Sequence, residues 1–207
     1  MGFERNVFIN CPFDEEYAPI LQAIIFVIIS LGYNPRLASE RNDSGESRLE
    51  KIREIVEGSK FSIHDLSRCQ ARKKGEYFRL NMPFELGMDW GCRNYYGEGR
   101  DRKRFLILEE KPYRFQAAIS DLSGCDIEVH GGEYARAMKC VRDWLRQQTG
   151  CEAPGPAGLV SAYATFSEWE YEQKLAQGYS EQDIREYPTF ERIETMRAWV
   201  AAGRPSG

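Results

Sequence analysis

Glu85 stands out as a candidate for chemistry because of its neighbours. It lies in Asn81-Met82-Pro83-Phe84-Glu85-Leu86-Gly87, with Met88 and Trp90 following. Pro83 suits a first helical turn, where its missing N–H would be unpaired in any case. The stretch therefore reads as the opening of a buried helix that carries a carboxylate among apolar side chains. An unpaired carboxylate in such surroundings is costly, and proteins keep one chiefly where it binds or reacts. The competing reading is an acid favoured by the helix dipole and turned toward water.

Other candidates lie at the ends of short apolar runs. Val7-Phe8-Ile9 closes on the turn signal Asn10-Cys11-Pro12, followed by Phe13. Lys60-Phe61-Ser62-Ile63-His64 closes on Asp65-Leu66-Ser67. Asn10 and Ser67 have side chains and backbone N–H groups suited to ribose hydroxyls or phosphate, and Phe13 has a ring suited to stacking on a base. Ser47 begins a helix, either as a simple cap or as part of an anion site. The segment 68–79 is polar and basic: Arg68, Arg72, Lys73 and Lys74 are either phosphate contacts or a solvated loop, and Tyr77 and Phe78 are candidates for a lid. A Cys69–His64 nucleophile has no supporting motif.

The elements that must position these residues follow from periodicity. Asp14 is placed to cap a helix running to Gly32, apolar at Ile20, Ile24, Val27, Ile28 and Leu31. Pro35 to Ala38 reads as a weak strand. Ser47 and Glu50 form a capping-box signature for a helix to about Gly58. The Pro83 helix runs to about Tyr96, Arg104 to Leu108 is the clearest strand, Cys125 to Val129 the last, and Glu133 to Gln148 a closing helix. Strands alternating with helices predict a doubly wound α/β fold, with a mainly parallel five-stranded sheet in flavodoxin-like order. Ligands on such sheets bind beyond the carboxyl ends of the strands, where Asn10–Phe13, Asp65–Ser67 and the Pro83 helix start converge.

The domain is expected over 1–149, a Pro/Gly-rich linker over 150–160, and an aromatic-rich helical appendage over 161–203. That appendage folds back on the domain, offers an oligomerisation or partner surface, or does both. Ser180 with Asp183 suits one helix start there, and Pro188 another.

The 207 residues carry a formal charge of −4 with both signs mixed, so no basic field marks a nucleic-acid partner. The longest apolar run, Ala18 to Leu31, is too short for a bilayer, so no membrane partner is expected. The cysteines at 11, 69, 92, 125, 140 and 151 form no CxxC pair and only His64 and His130 accompany them, a poor metal-binding set. With no export signal visible, the expectation is a cytoplasmic protein with reduced thiols.

Val7-Phe8-Ile9-Asn10-Cys11-Pro12-Phe13, Ile63-His64-Asp65-Leu66-Ser67 and Pro83-Phe84-Glu85-Leu86-Gly87, in this order and spacing, resemble the nucleoside 2-deoxyribosyltransferase-like superfamily, related in fold to TIR domains. The resemblance spans roughly residues 5–148. It implies chemistry at an N-glycosidic bond. Glu85 would attack the anomeric carbon or stabilise an oxocarbenium-like transition state, while Asp65 would handle the base or position the sugar. Two carboxylates flanking a sugar suit such a reaction, and a base leaving as neutral nicotinamide needs little protonation.

One departure is informative. Where those transferases carry Asp-x-Gly-Thr before the glutamate, this chain has Arg79 at the aspartate position, and Asn81 and Met82 follow at the glycine and threonine positions. An arginine there suits phosphate. The expected substrate is accordingly a nucleotide, with NAD the leading candidate as substrate and no cofactor required, cleaved by a hydrolase or a base or ribosyl transferase. Fold-level analogy suggests a homo-oligomer and a regulated effector of prokaryotic defence. The alternatives are a non-catalytic nucleotide-sensing or TIR-like assembly module, and a deoxyribosyltransferase of nucleoside salvage.

Overall fold

The computed structural model of the chain describes residues 2–41, 43–68, 71, 74–75, 79–117 and 119–204. Strand β1 is Asn6–Asn10, followed by helix α1 (Ala18–Ser30), β2 (Asn34–Arg36), α2 (Arg48–Glu57), β3 (Phe61–Asp65), α3 (Asn81–Tyr95), β4 (Arg104–Glu109), β5 (Glu128–Val129) and α4 (Tyr134–Thr149). Helices α5 (Pro156–Ala176), α6 (Glu181–Arg185) and α7 (Thr189–Ala201) complete the chain. The five strands pair in parallel in the order β2-β1-β3-β4-β5. This is a doubly wound α/β fold with C-terminal helices.

Every residue of β1 and β3 is buried, as expected of central parallel strands covered on both faces. Alternation along them splits the core. Val7, Ile9, Phe61 and Ile63 pack with α1 and α4, whereas Phe8 packs with Ile52, Ile55 and Val56 of α2 and Cys92 of α3. Pairing sets Asn10 opposite His64, and Asp65 opposite Leu108.

Helix α1 is apolar almost all round because beyond its first turn it is enclosed on nearly every side. The sheet and α4 cover one side, and the C-terminal helices cover another. Phe26 meets Tyr163, Phe166 and Trp199 at ring-centroid distances of 5.3, 5.7 and 5.9 Å. No helix among the described residues is long and apolar enough to cross a membrane.

Several local expectations are corrected. The composition-based linker ends early, because Pro156 suits a first helical turn and opens α5, burying Leu159. Ser47 does stand at the cap position of α2, but its side chain makes no capping bond. Asp14 caps the turn before α1: its carboxylate accepts from the Tyr17 N–H at 3.0 Å, and the helix proper starts at Ala18. The last strand shrinks to Glu128–Val129, pairing with Leu108 and Glu109. Ser180 and Asp183 form the expected reciprocal cap, and Pro188 precedes α7.

Candidate active site

Helix α3 turns Met82, Glu85, Leu86, Asp89 and Cys92 inward, a helical stripe holding two carboxylates. Phe84 and Trp90 face outward instead of surrounding Glu85. The start of the helix is tied to the sheet by Asn10, whose Nδ2 donates to the Met82 carbonyl at 2.8 Å and to His64 Nδ1 at 3.0 Å. Asn10 thus sets the turn that carries Glu85.

Glu85 is buried at the carboxyl edge of the sheet. Its Oε1 lies 3.6 Å from Arg48 Nη2, and Asn81 adds a side-chain hydrogen bond. Burial pushes its carboxyl above the ordinary value of 4.5, and the attraction of Arg48 with the bond from Asn81 offsets only part of that rise. Both partners are walls of a cavity of about 440 Å³, completed by Cys11, Pro12, Phe13, Ser39, Arg79 and Met82. Phe13 and Asn81 are exposed there. That volume suits a small-molecule ligand. A larger cavity of about 890 Å³ between the start of α1 and helices α6 and α7 is walled by Glu15, Gln22, Glu181, Arg185 and Arg192, among others, and holds none of the strand-end residues.

Asp65 is placed differently. It has no exposed surface, and both its oxygens are engaged. Tyr17 Oη donates to Oδ2 at 2.5 Å, His130 Nε2 lies 3.0 Å from Oδ2, and the Ser67 N–H donates to Oδ1 at 2.8 Å. Burial alone would raise the Asp65 carboxyl, but the bonds from His130, Ser67 and Tyr17 hold it below its ordinary 3.8.

Ser67 Oγ sits 3.0 Å from the same His130 nitrogen, which invites a Ser-His-Asp nucleophile. The Gly132 N–H argues against one, because it donates to Nδ1 at 3.0 Å. The ring hydrogen is then on Nε2, facing Asp65 and Ser67, so Nε2 has no lone pair with which to take a serine proton. Cys11 is equally unsuited to attack: burial, with the charges of Asp65 and Glu85, pushes its thiol well above the usual range.

The arginines differ in how firmly they are held. Arg68 grips Asp14 with two bonds, Nε at 3.2 Å and Nη2 at 3.0 Å. Arg79 reaches the same carboxylate only at 3.9 Å. Lys74 is exposed. Cys69, Arg72, Lys73, Tyr77 and Phe78 lie outside the described residues.

Sequence reasoning missed Arg48, Tyr17 and His130. Arg48 did carry a signal: it occupies the first turn of α2, where the dipole disfavours a cation, so a partner carboxylate was to be sought. It also missed a buried chain on the α3 side of the sheet. His64 Nε2 faces Asp89 Oδ2 at 3.0 Å, Asp89 Oδ1 pairs with Lys103 Nζ at 3.0 Å, and Lys103 donates to the carbonyls of Val56 and Ser59.

No protein family, curated protein or solved structure matches the chain.

Proposed function

We propose that this chain breaks the N-glycosidic bond of a nucleotide, NAD or a related molecule, as a hydrolase or a base or ribosyl transferase. The observation that carries this reading is a buried carboxylate of raised pKa, Glu85, whose two partners, Arg48 and Asn81, wall a ligand-sized cavity at the carboxyl edge of a doubly wound sheet. The resemblance of the three strand-end and helix-start segments to nucleoside 2-deoxyribosyltransferases supports the same chemistry.

In the reaction, the Glu85 carboxylate meets the positive charge developing at the anomeric carbon, as nucleophile or as counter-charge. The C–N bond breaks and its electron pair leaves with the base. Nicotinamide leaves neutral, so no proton is required. Water then takes the anomeric carbon and gives up a proton to Glu85 or to solvent, or a second base takes the carbon through its ring nitrogen. Asp65 does not line the cavity; it assists indirectly, by fixing Tyr17, Ser67 and His130 and with them the end of β3. Phe13 and Asn81 supply a ring and an amide for the base and sugar, and Arg79 supplies a charge suited to phosphate.

Chromatography of NAD, NADP and a panel of nucleosides and nucleotides, incubated with wild-type protein and with Glu85→Gln, tests the reading. Release of free base by wild type, reduced about 10²-fold or more in the variant, is expected for a group that acts at the transition state. No release at concentrations where the chain self-associates would leave the nucleotide-binding module as the better description.

A further inference from the structure

Resting on that reading, we propose that Arg48 and Arg79 form a clamp for a phosphate group of the substrate, and that the bound phosphate draws Arg48 off Glu85, freeing the carboxylate for the sugar. Arg48 would thereby make the site selective for phosphorylated substrates.

The arginines around the site are held with very different firmness. Arg68 is only 12% exposed and spans both oxygens of Asp14. Because Asp14 is already satisfied, Arg79 stands 3.9 Å away with 47% of its side chain exposed. Arg48 is 59% exposed, and its approach to Glu85, at 3.6 Å, is longer than the 2.7–2.9 Å typical of a charge-assisted hydrogen bond. Both loosely held guanidinium groups wall the same cavity as Phe13 and Asn81. A phosphate offers the two guanidinium groups a shared anion of matching fork geometry, carrying one charge on each phosphate of a dinucleotide and close to two on a nucleoside monophosphate.

The Glu85–Arg48 contact has a second consequence. While it persists, the carboxylate is occupied and its negative charge is partly neutralised, so it is a poorer partner for a developing cation. An anion that competes for Arg48 couples recognition of one end of the ligand to the reactivity of the group at the other end. An unphosphorylated nucleoside lacks that lever and meets Glu85 still paired.

Calorimetry with AMP, adenosine and inorganic phosphate as probes, on wild type and on Arg48→Gln, Arg79→Gln and Glu85→Gln, tests the clamp without requiring turnover. Wild type should bind AMP more tightly than either adenosine or phosphate. Arg48→Gln and Arg79→Gln should each weaken AMP about tenfold or more and change adenosine by much less. Glu85→Gln should tighten AMP, because Arg48 no longer has to leave a carboxylate. Equal affinity for AMP and adenosine in wild type would overturn the proposal, as would AMP binding indifferent to Arg48→Gln. Tight AMP binding that depends on both arginines, with no base released from any nucleotide, would uphold the clamp and remove the glycosidic reading. Base release that depends on Glu85 but is equal for nucleosides and nucleotides would do the reverse.

Discussion

At the scale of single residues, the two carboxylates at the strand edge have opposite linkage to folding. Glu85 is held above its ordinary 4.5, so between that value and its folded pKa the native state binds more protons than the unfolded chain. Stability attributable to it falls as pH rises through that window, and the ionised group destabilises the fold at neutral pH. Glu85→Gln should therefore melt at a higher temperature than wild type at pH near 7, with the difference shrinking below pH about 4.5, while base release is lost; paired thermal melts across pH check this. Asp65 has the reverse sign. Its carboxyl is lowered below 3.8, so its contribution is complete above that value and disappears as pH falls through the folded pKa. Asp65→Asn should cost at least about 1.5–3 kcal/mol in urea unfolding at neutral pH, the loss of one hydrogen bond to a charged group. Arg48→Gln should move the acid limb of activity upward, since its charge is what partly counters the burial of Glu85. Glu85 was legible in the sequence because an acid in an apolar helix is locally anomalous. The Tyr17–Asp65–His130–Ser67 cluster was not, because its members are far apart in the chain and each is individually ordinary.

At the scale of elements, the buried chain from Asn10 through His64 and Asp89 to Lys103 joins β1, β3, α3 and the residue before β4, and reaches the end of α2 through its carbonyls. Asp89 is fully buried. Burial would raise its carboxyl, but His64 first, then Lys103 and Ser62, hold it below 3.8. Removing Lys103 leaves Asp89 with His64 and Ser62 but without its lysine partner in a fully buried site. Lys103→Met should cost about 3–5 kcal/mol in urea unfolding, and combining it with Asp89→Leu should restore part of that loss, since a buried pair replaced by apolar groups is often near neutral. A double variant as unstable as the sum of the singles would show that the pair is not coupled. Elements were legible where a periodic apolar face met a clear stop signal, as in α1, α4 and β4. They were misjudged where a tertiary contact decides: Val129 ends a strand only because Glu109 lies beside it, and Pro156 opens a helix only because Leu159 has α1 and its neighbours to pack against.

At the scale of the whole molecule, the C-terminal helices belong energetically to the sheet domain. Phe166, Ile193, Met196 and Trp199 share one continuous core with α1 and α4, and Phe26 of α1 is closed over by rings from α5 and α7. Those helices are held to one another by buried charge as well: Arg192 Nε meets Glu170 Oε2 at 2.9 Å, and Lys174 donates to the Tyr187 hydroxyl at 2.6 Å while lying over its ring. Folding back is thus the outcome of the aromatic content that left two readings open in the sequence. Trp199→Ala should cost about 3–5 kcal/mol, as for other large aromatics removed from a core. A chain ended after Gly150 would lay bare the outer side of α1, a row of isoleucines and Phe26 with no polar alternative face to present. It should bind a hydrophobic dye and lose sharp thermal unfolding while keeping much of its helical signal. The intact chain, by contrast, should unfold in one transition whether followed by tryptophan fluorescence, by far-ultraviolet dichroism or by loss of nucleotide binding. Separate transitions, or a truncated chain that still melts sharply, would mean that the sheet domain closes its core alone. The helices would then be an independent module, and the candidate site would owe its stability to the strands and to Asn10 without them.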